Sequence, residues 1–576
     1  MTDDAEDEDR PRARPRRLWP WLLGATVLVV GWLALAGLTL LDAKADAEAG
    51  RDRLQALRSA PEPADALLNG GAGELRLAAA DFQSARRGVR SPLVSPLRAL
   101  PVVGRQLRAF DSMASSAGRV AASGGGALDR IDDRISAGSA AGGERVALMR
   151  EIADATAEVQ TVLADVDLGP SEALVGPLAD ARAEFAEELG EVREVVDNAR
   201  AVADGLLPMF EGPSRYLVLG ANNAEMQVGG GMPLSIGVLE ITDGQLVLPD
   251  MRPSAELVLD TPVPVDPDVA SRWAFSEPGI DFRSLGRTPR FDVTGEQAAR
   301  MWEAAGLGTV DGVLLVDPVV LSVLLGASGP ITVGDTTYAA ENVLDELLKN
   351  QYAAFDDVSA RQDRLSEVAS AAVDALDGGG FDVAQLAADL ADAAGSRHIL
   401  AWSRHPGQQA AWEAAGITGE LPDDALFVGL YSVGGVKLDP YIDVAADLVH
   451  DGGEVSVQIT VTNASPEGLP LYVEGPIGDG EEGQYEALLV VSIPGFAEGG
   501  IVDEQTEQVS GADGNTVVVA SRLLVLRGEG AERTVRFTLP DDAHRVTVLP
   551  TGRIPPIDWT EGGVPLDVST ARHVTW

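Results

Sequence analysis

The sequence predicts a multidomain chain with an N-terminal transmembrane helix, a helical stalk or bundle, a central α/β (α+β) domain and a C-terminal β-sandwich. Three observations predict it. One long uncharged apolar run lies near the N-terminus, the hydrophobic period changes near Tyr216, and the helical pattern ends after about Ala445. The implied boundaries are 1–17 for a cytoplasmic tail, 18–41 for the anchor, 42–206 for the stalk or bundle, 207–445 for the core domain and 446–576 for the sandwich.

Leu18 to Leu41 carries no charge and is followed by Asp42. At about 1.5 Å per residue such a helix covers a hydrocarbon core of roughly 30 Å. Arg10, Arg12, Arg14, Arg16 and Arg17 precede it and nothing comparable follows, which predicts a plasma-membrane protein with a cytoplasmic N-terminus and an extracytoplasmic bulk. Ala43-Lys44-Ala45 admits a cleaved signal peptide as the other reading, but the run exceeds the roughly 7–15 residues of a signal h-region.

From Ala43 to about Leu206, apolar residues recur every three or four positions, as in Glu144 to Val166 and Glu172 to Met209. This spacing predicts amphipathic helices that pack on one another. Pro61, Pro63 and the Ser123 to Gly126 run are expected to break the series. Heptads are not sustained, so a spacer is favoured over a long coiled coil.

The α/β domain starts with a short strand, Tyr216 to Leu219. A hairpin follows, with Leu234 to Thr242 and Gln245 to Leu248 flanking Asp243-Gly244, a dipeptide suited to a type I′ turn. Gly295 to Ala305 reads as helix, Gly312 to Val316 as strand, and Pro318 to Leu325 and Ser359 to Ala394 as helix, the last broken at Gly378 to Gly380. Trp-Glu-Ala-Ala-Gly occurs at 302–306 and 412–416, each copy reading as a helix end with a C′ glycine.

Beyond residue 445, Val455, Val457, Ile459 and Val461 alternate with polar residues, as do Val535, Phe537 and Leu539. Short strands between Gly, Asp and Pro turns predict an immunoglobulin-like sandwich able to fold separately.

Composition narrows the chemistry. There are no cysteines, which excludes disulfides and thiolate metal sites. With 89 acidic against 44 basic residues, a net charge of -45 argues against a nucleic-acid or anionic-lipid binding surface. The five histidines show no ligand spacing, and no nucleophile elbow or P-loop is present. No metal or cofactor is expected, and catalytic residues are not identified.

Two polar groups remain as anionic-ligand candidates. Asn222, Asn223 and Glu225 follow the first strand and precede three glycines. Strand-end amides and free backbone N–H groups suit a phosphate or sugar, whereas the same residues also make a sharp turn. Arg272, Arg283, Arg287 and Arg290 crowd a Pro- and Gly-rich loop. Their guanidinium forks fit either an anion or the surplus carboxylates. Lys437 is one of three lysines and is expected to form a buried ion pair with Asp439 or another carboxylate.

YLVLGANNAEMQVGGG at 216–231, the hairpin after it, VDGVLLVDP at 310–318, Gly329-Pro330 and RHILAWSR at 397–404 resemble the bacterial domain-of-unknown-function 4012 family. The resemblance extends over roughly 95–575, from LRALPVVGRQL at 97–107 through Lys437-Leu438-Asp439. It implies an exported, membrane-anchored envelope protein without an established reaction. A weaker similarity, over Phe291 to Val333, is to the LytR-CpsA-Psr fold, whose members transfer glycopolymers from polyprenyl-pyrophosphate carriers with arginines and a magnesium ion. Gln227 stands where that family implies an arginine. The expectation is therefore a non-catalytic scaffold or binding protein in surface glycopolymer assembly, with cell-wall glycopolymer or polyprenyl-linked glycan as partner. The alternative is a divergent phosphotransferase using Mg2+.

Overall fold

The computed structural model describes residues 19–59, 66, 70–137, 141–249, 251–354, 358–476, 480–501 and 507–576. The chain divides into two units, Met1–Asp129 with Glu158–Glu194, and Arg130–Ala157 with Val195–Trp576.

Five long helices come first: α1 (Trp19–Arg58), α2 (Ala72–Val89), α3 (Pro101–Ala137), α4 (Gly143–Ala164) and α5 (Gly176–Glu211). Within the first unit α1 and α2 run antiparallel, with Ala43 beside Gly88 and Phe82 beside Gly50. The buried Asp111 carboxylate on α3 ties the end of α2 to the turn after it. It accepts from Arg90 Nε at 2.7 Å, from Arg90 Nη2 at 2.8 Å and from Arg98 Nη2 at 2.7 Å. Burial pushes this carboxyl up, but the hydrogen bonds from Arg90 and Arg98 outweigh it and hold it below the usual range.

The transmembrane anchor expected at 18–41 is corrected. Among the described residues no helix is long and apolar enough to cross a membrane. Helix α1 continues without interruption past Asp42 into a charged segment ending at Arg58. The later part of the apolar run packs against protein: Ala36, Leu40 and Ala43 meet Val89, Val94 and Leu107, and Trp32 Nε1 donates to the Leu93 carbonyl at 2.9 Å. An apolar helical face is thus used for helix packing. The expected tail 1–17 with its arginine cluster lies outside the described residues, as do the side chains through residue 29.

The expected break at Ser123 to Gly126 is also corrected, because α3 runs through it from Pro101 to Ala137. A Cβ on Gly125 would sit 3.2 Å from the Ala72 carbonyl oxygen. The glycine lets two helices approach closely, which outweighs its cost in helix propensity. Pro61 and Pro63 lie outside the described residues.

In the second unit a mixed sheet is built on β1 (Ser214–Gln227), β2 (Gly230–Thr242), β3 (Gln245–Val247), β4 (Arg252–Pro253), β5 (Gly312–Val316) and β8 (Ile399–Ser403). Its order is β3-β2-β1-β5-β8, with β4 also on β2. Asp243 and Gly244 both have positive φ, 50° and 77°, at the predicted hairpin turn. The only parallel pair in this sheet is β1 with β5, and the crossover between them contains α6 (Pro267–Arg272) and α7 (Phe291–Ala304). Helix α8 (Pro318–Ser328) follows β5, and a small hairpin, β6 (Ile331–Val333) with β7 (Thr336–Tyr338), comes next. The segment 359–394 forms α9 (Val358–Asp377) and α10 (Val383–Gly395). Helix α7 and helix α11 (Pro406–Ala414) end alike. Gly306 and Gly416 have φ of 75° and 72°, and Leu307 N and Ile417 N donate back to the Trp302 and Trp412 carbonyls, the six-to-one closure of a Schellman motif.

The remaining chain forms two six-stranded sheets. One contains β9 (Ala425–Ser432), β12 (Tyr485–Pro494), β14 (Glu507–Asp513), β15 (Thr516–Val525), β17 (Arg545–Leu549) and β20 (Arg572–Thr575), in the order β14-β15-β12-β9-β17-β20. The other contains β10 (Ile442–Asp451), β11 (Glu454–Asn463), β13 (Glu498–Ile501), β16 (Gly530–Thr538), β18 (Asp558–Glu561) and β19 (Val564–Leu566), in the order β13-β16-β11-β10-β18-β19. Leu430 and Val491 from the first share a core with Leu448, Val457 and Phe537 from the second, the arrangement of a sandwich.

Strand β9 lies before residue 446, yet it pairs with both β12 and β17. Residues 446–576 produced alone would therefore lack a central strand and the first part of β10. They are expected to show no cooperative thermal transition by circular dichroism, whereas a cooperative melt would mean the sheet closes without β9.

Candidate functional site

Parallel strands β1 and β5 end side by side, with Gly220 opposite Val316. Beyond that point β1 continues alone against β2, and its register slips between Asn222 and Met226. The sharp turn expected at Asn222–Glu225 is thus a bulge inside a long strand. Polar bulge residues leave the ladder and turn their side chains elsewhere.

Each of them finds a partner within the protein. Asn222 Nδ2 donates to the Tyr352 hydroxyl at 3.0 Å, and its Oδ1 accepts from Ala224 N at 3.1 Å. Asn223 Nδ2 donates to Asp317 Oδ2 at 2.9 Å and to the Gly552 carbonyl at 2.8 Å. Glu225 Oε2 lies 2.7 Å from Lys437 Nζ, with both side chains buried, the ion pair expected for Lys437. Met226 N donates to Asp439 Oδ2 at 3.0 Å, and the Tyr485 hydroxyl donates to Asp439 Oδ1 at 2.7 Å. Asp439 is fully buried. Burial pushes its carboxyl up to about 6, with Arg553 opposing.

Asp317 caps α8 by accepting from Val319 N at 2.9 Å. Its other oxygen lies 2.6 Å from His398 Nδ1. A carboxylate that fixes an imidazole suits proton transfer when a reacting oxygen reaches the second ring nitrogen. Among the described residues no hydroxyl is hydrogen-bonded to His398.

The arginines do not converge on this bulge. Arg272 Nε donates to the Ala512 carbonyl at 3.3 Å. Arg283 makes a pair with Asp281, Nε to both carboxylate oxygens at 3.0 Å. Arg287 stacks on the Tyr431 ring at 4.1 Å from its centroid, and burial lowers its pKa. Arg290 bridges Asp513 and Asp266, each at 2.7 Å. Burial opposes its charge, but the two carboxylates outweigh that and raise its pKa. Three of the four thus reach toward β9 or the β14–β15 hairpin, and none shares a hydrogen bond with Asn222 or Glu225.

A cavity of about 50 Å³ does open beside the bulge, lined by Asn222, Glu225, Tyr352, Arg361, Lys437 and Tyr472. Ligand pockets usually measure roughly 300–1,000 Å³. This one holds at most a water or two. Among the described residues no three acidic or histidine side chains gather as a metal site would require. Sequence reading misses Asp317, His398 and Tyr352 as members of the cluster, and names Asp439 only as a possible partner of Lys437, where the structure bonds it to Met226 N and Tyr485. Asp317-Pro318 after an apolar strand carries a helix-start signal, but nothing local announces His398 or Tyr352.

A mixed α/β sheet with a bulged strand end, neutralised by partners from a following sandwich, defines a protein whose polar centre is internal. Residues 211–352, which include all of β1, β2, β5, α7 and α8, match the family described as Protein of unknown function (DUF4012). This span is narrower than the 95–575 expected from the sequence. The expected similarity to the LytR-CpsA-Psr fold has no match. No curated protein and no solved structure matches the chain.

Proposed function

We propose that this chain is a non-catalytic scaffold or binding protein of the bacterial cell envelope, acting on the extracytoplasmic side in surface glycopolymer assembly. The observation that supports a non-catalytic role is that the charged groups of the strand-end cluster are paired within the protein, while Asn223 Oδ1 and both side-chain amide atoms of Gln227 are buried without a hydrogen bond among the described residues. Glu225 is held by Lys437, Asn223 by Asp317 and Gly552, and Arg290 by Asp513 and Asp266. A pyrophosphate leaving group needs cations free to neutralise it, and Lys437, Arg283 and Arg290 are each held by a carboxylate. The glycopolymer assignment rests on the sequence resemblances alone.

The test uses the purified chain, a lipid-linked glycan donor, magnesium and a purified wall glycopolymer. The chain is expected to co-sediment with the polymer while the donor remains unconsumed over several hours. Consumption of the donor, abolished by Arg283→Ala with Arg287→Ala, would overturn the reading in favour of a phosphotransferase. Failure to co-sediment would remove the glycopolymer assignment.

A further inference from the structure

The first unit contains a cleft unrelated to the strand-end cluster, and its ligand preference is independent of the function proposed above. The cleft lies among α1, α2, α3 and α5 and measures about 710 Å³, within the roughly 300–1,000 Å³ of small-molecule sites. Along α1 its lining runs from Leu40 to Leu54, about 20 Å at the helical rise per residue. Phe82, Leu107, Phe110, Met113 and Phe185 supply apolar walls. Its width comes from alanines at facing positions, among them Ala47, Ala114, Ala117 and Ala181, since helices separated by larger side chains but faced with methyl groups leave space between them. Such a long, apolar space suits a chain better than a ring.

The charged groups lie on the α1 and α5 walls, and most are already paired; Gln106 of α3 is bonded to the backbone at Ala173 and Val175. Lys44 contacts Glu48 at 3.1 Å on α1, and Arg51 of α1 is ion-paired to Glu184 of α5. Arg58 pairs with Glu191 at 2.8 Å, so the two helices run parallel and Glu188 falls between these two links. No side chain among the described residues donates to Glu188. Burial raises its carboxyl pKa, with Arg51 opposing. The lining therefore holds three carboxylates (Glu48, Glu184 and Glu188) against two cations (Lys44 and Arg51). That balance favours a cationic head and disfavours an anionic one.

We propose that this cleft binds a single-chain cationic amphiphile, an alkyl or isoprenoid amine, with its ammonium on the Glu188 carboxylate and its chain directed toward Leu40 and Leu107. The ammonium supplies the donor that Glu188 lacks. The chain takes the apolar walls out of water.

Isothermal titration of the purified full chain with decylamine, dodecylamine and tetradecylamine, each below its micelle concentration, tests this directly. One amine per chain is expected, with affinity rising about fourfold for each added methylene. Dodecanoate should bind at least roughly tenfold more weakly than dodecylamine. Glu188→Gln should lower amine affinity about tenfold and leave the chain-length slope intact. Ala117→Trp should fill the cleft and abolish binding. Should that variant fail to fold by circular dichroism, the slope and Glu188→Gln decide the matter. Absence of saturable amine binding, equal affinity for amine and acid, or an unaffected Glu188→Gln variant overturns the proposal. So does a chain dimer that amines dissociate, since the cleft would then belong to a second copy.

Discussion

Lys437→Met is expected to destabilise the second unit by about 3–5 kcal/mol, because it leaves the Glu225 carboxylate buried without its cation. The Lys437 ammonium also donates to the Gly435 carbonyl at 3.2 Å, and lies 4.7 Å from the centre of the Tyr472 ring. These contacts add to the loss but do not dominate it, since an uncompensated buried charge is the larger cost. Combining Lys437→Met with Glu225→Leu removes both charges and should restore most of the lost stability. Urea unfolding of the two single variants and the double variant measures this. A single-variant cost below about 1 kcal/mol would place the pair among weak surface contacts and would reopen Lys437 as a ligand-binding group.

Asp439 carries the second large effect. Asp439→Ala removes the acceptor for two buried donors, Met226 N and the Tyr485 hydroxyl. At about 1–3 kcal/mol for each orphaned donor, the loss is roughly 2–6 kcal/mol. The same carboxylate makes stability depend on pH. Its carboxyl rises from 3.8 to about 6 on burial, so between those values the folded chain keeps a proton that the unfolded chain has released. This contribution is complete below about 3.8 and is lost as pH rises through about 6. Asp439→Asn keeps one acceptor and does not titrate. The stability of the parent minus that of Asp439→Asn should therefore fall by roughly 2 kcal/mol between pH 4 and pH 7. A difference that stays flat across this range would show that Asp439 ionises in the folded chain as it does in water.

Local pattern is enough to read several of the secondary-structure elements. The Asp243-Gly244 turn, the alternation from Val455 to Val461 and the paired Trp-Glu-Ala-Ala-Gly helix ends each depend on a few adjacent residues. Pairings between distant segments are not readable in the same way. Lys437 is expected to meet a carboxylate, but Glu225 becomes that partner only through the docking of the sandwich on the β1 bulge. The four arginines look like one cluster because they are close in sequence. A helix end, a 3-10 turn and loop segments instead aim them at Ala512, Asp281, Tyr431 and Asp513. The bulge resembles a turn because both use polar residues that leave the backbone ladder. The apolar run of α1 resembles a membrane span because composition does not distinguish a face that meets lipid from one that meets Val89 and Leu107.

The position of β9 also bears on the order in which the chain can fold. Strand β9 pairs in parallel with β17, joining residues about 120 positions apart, and the Asn223 amide waits for the carbonyl of Gly552. During synthesis, β9 emerges long before β17 exists. Until then one of its edges stays open, and an open, apolar edge invites pairing with other chains. Contacts of such long range also slow the final step, because loop closure precedes any gain from pairing. A ribosome that stalls after β16 would release a chain whose sandwich has begun but whose strand-end cluster has no seal. Sealing of the sheet edge and of the strand-end cluster thus waits for residues 545–575.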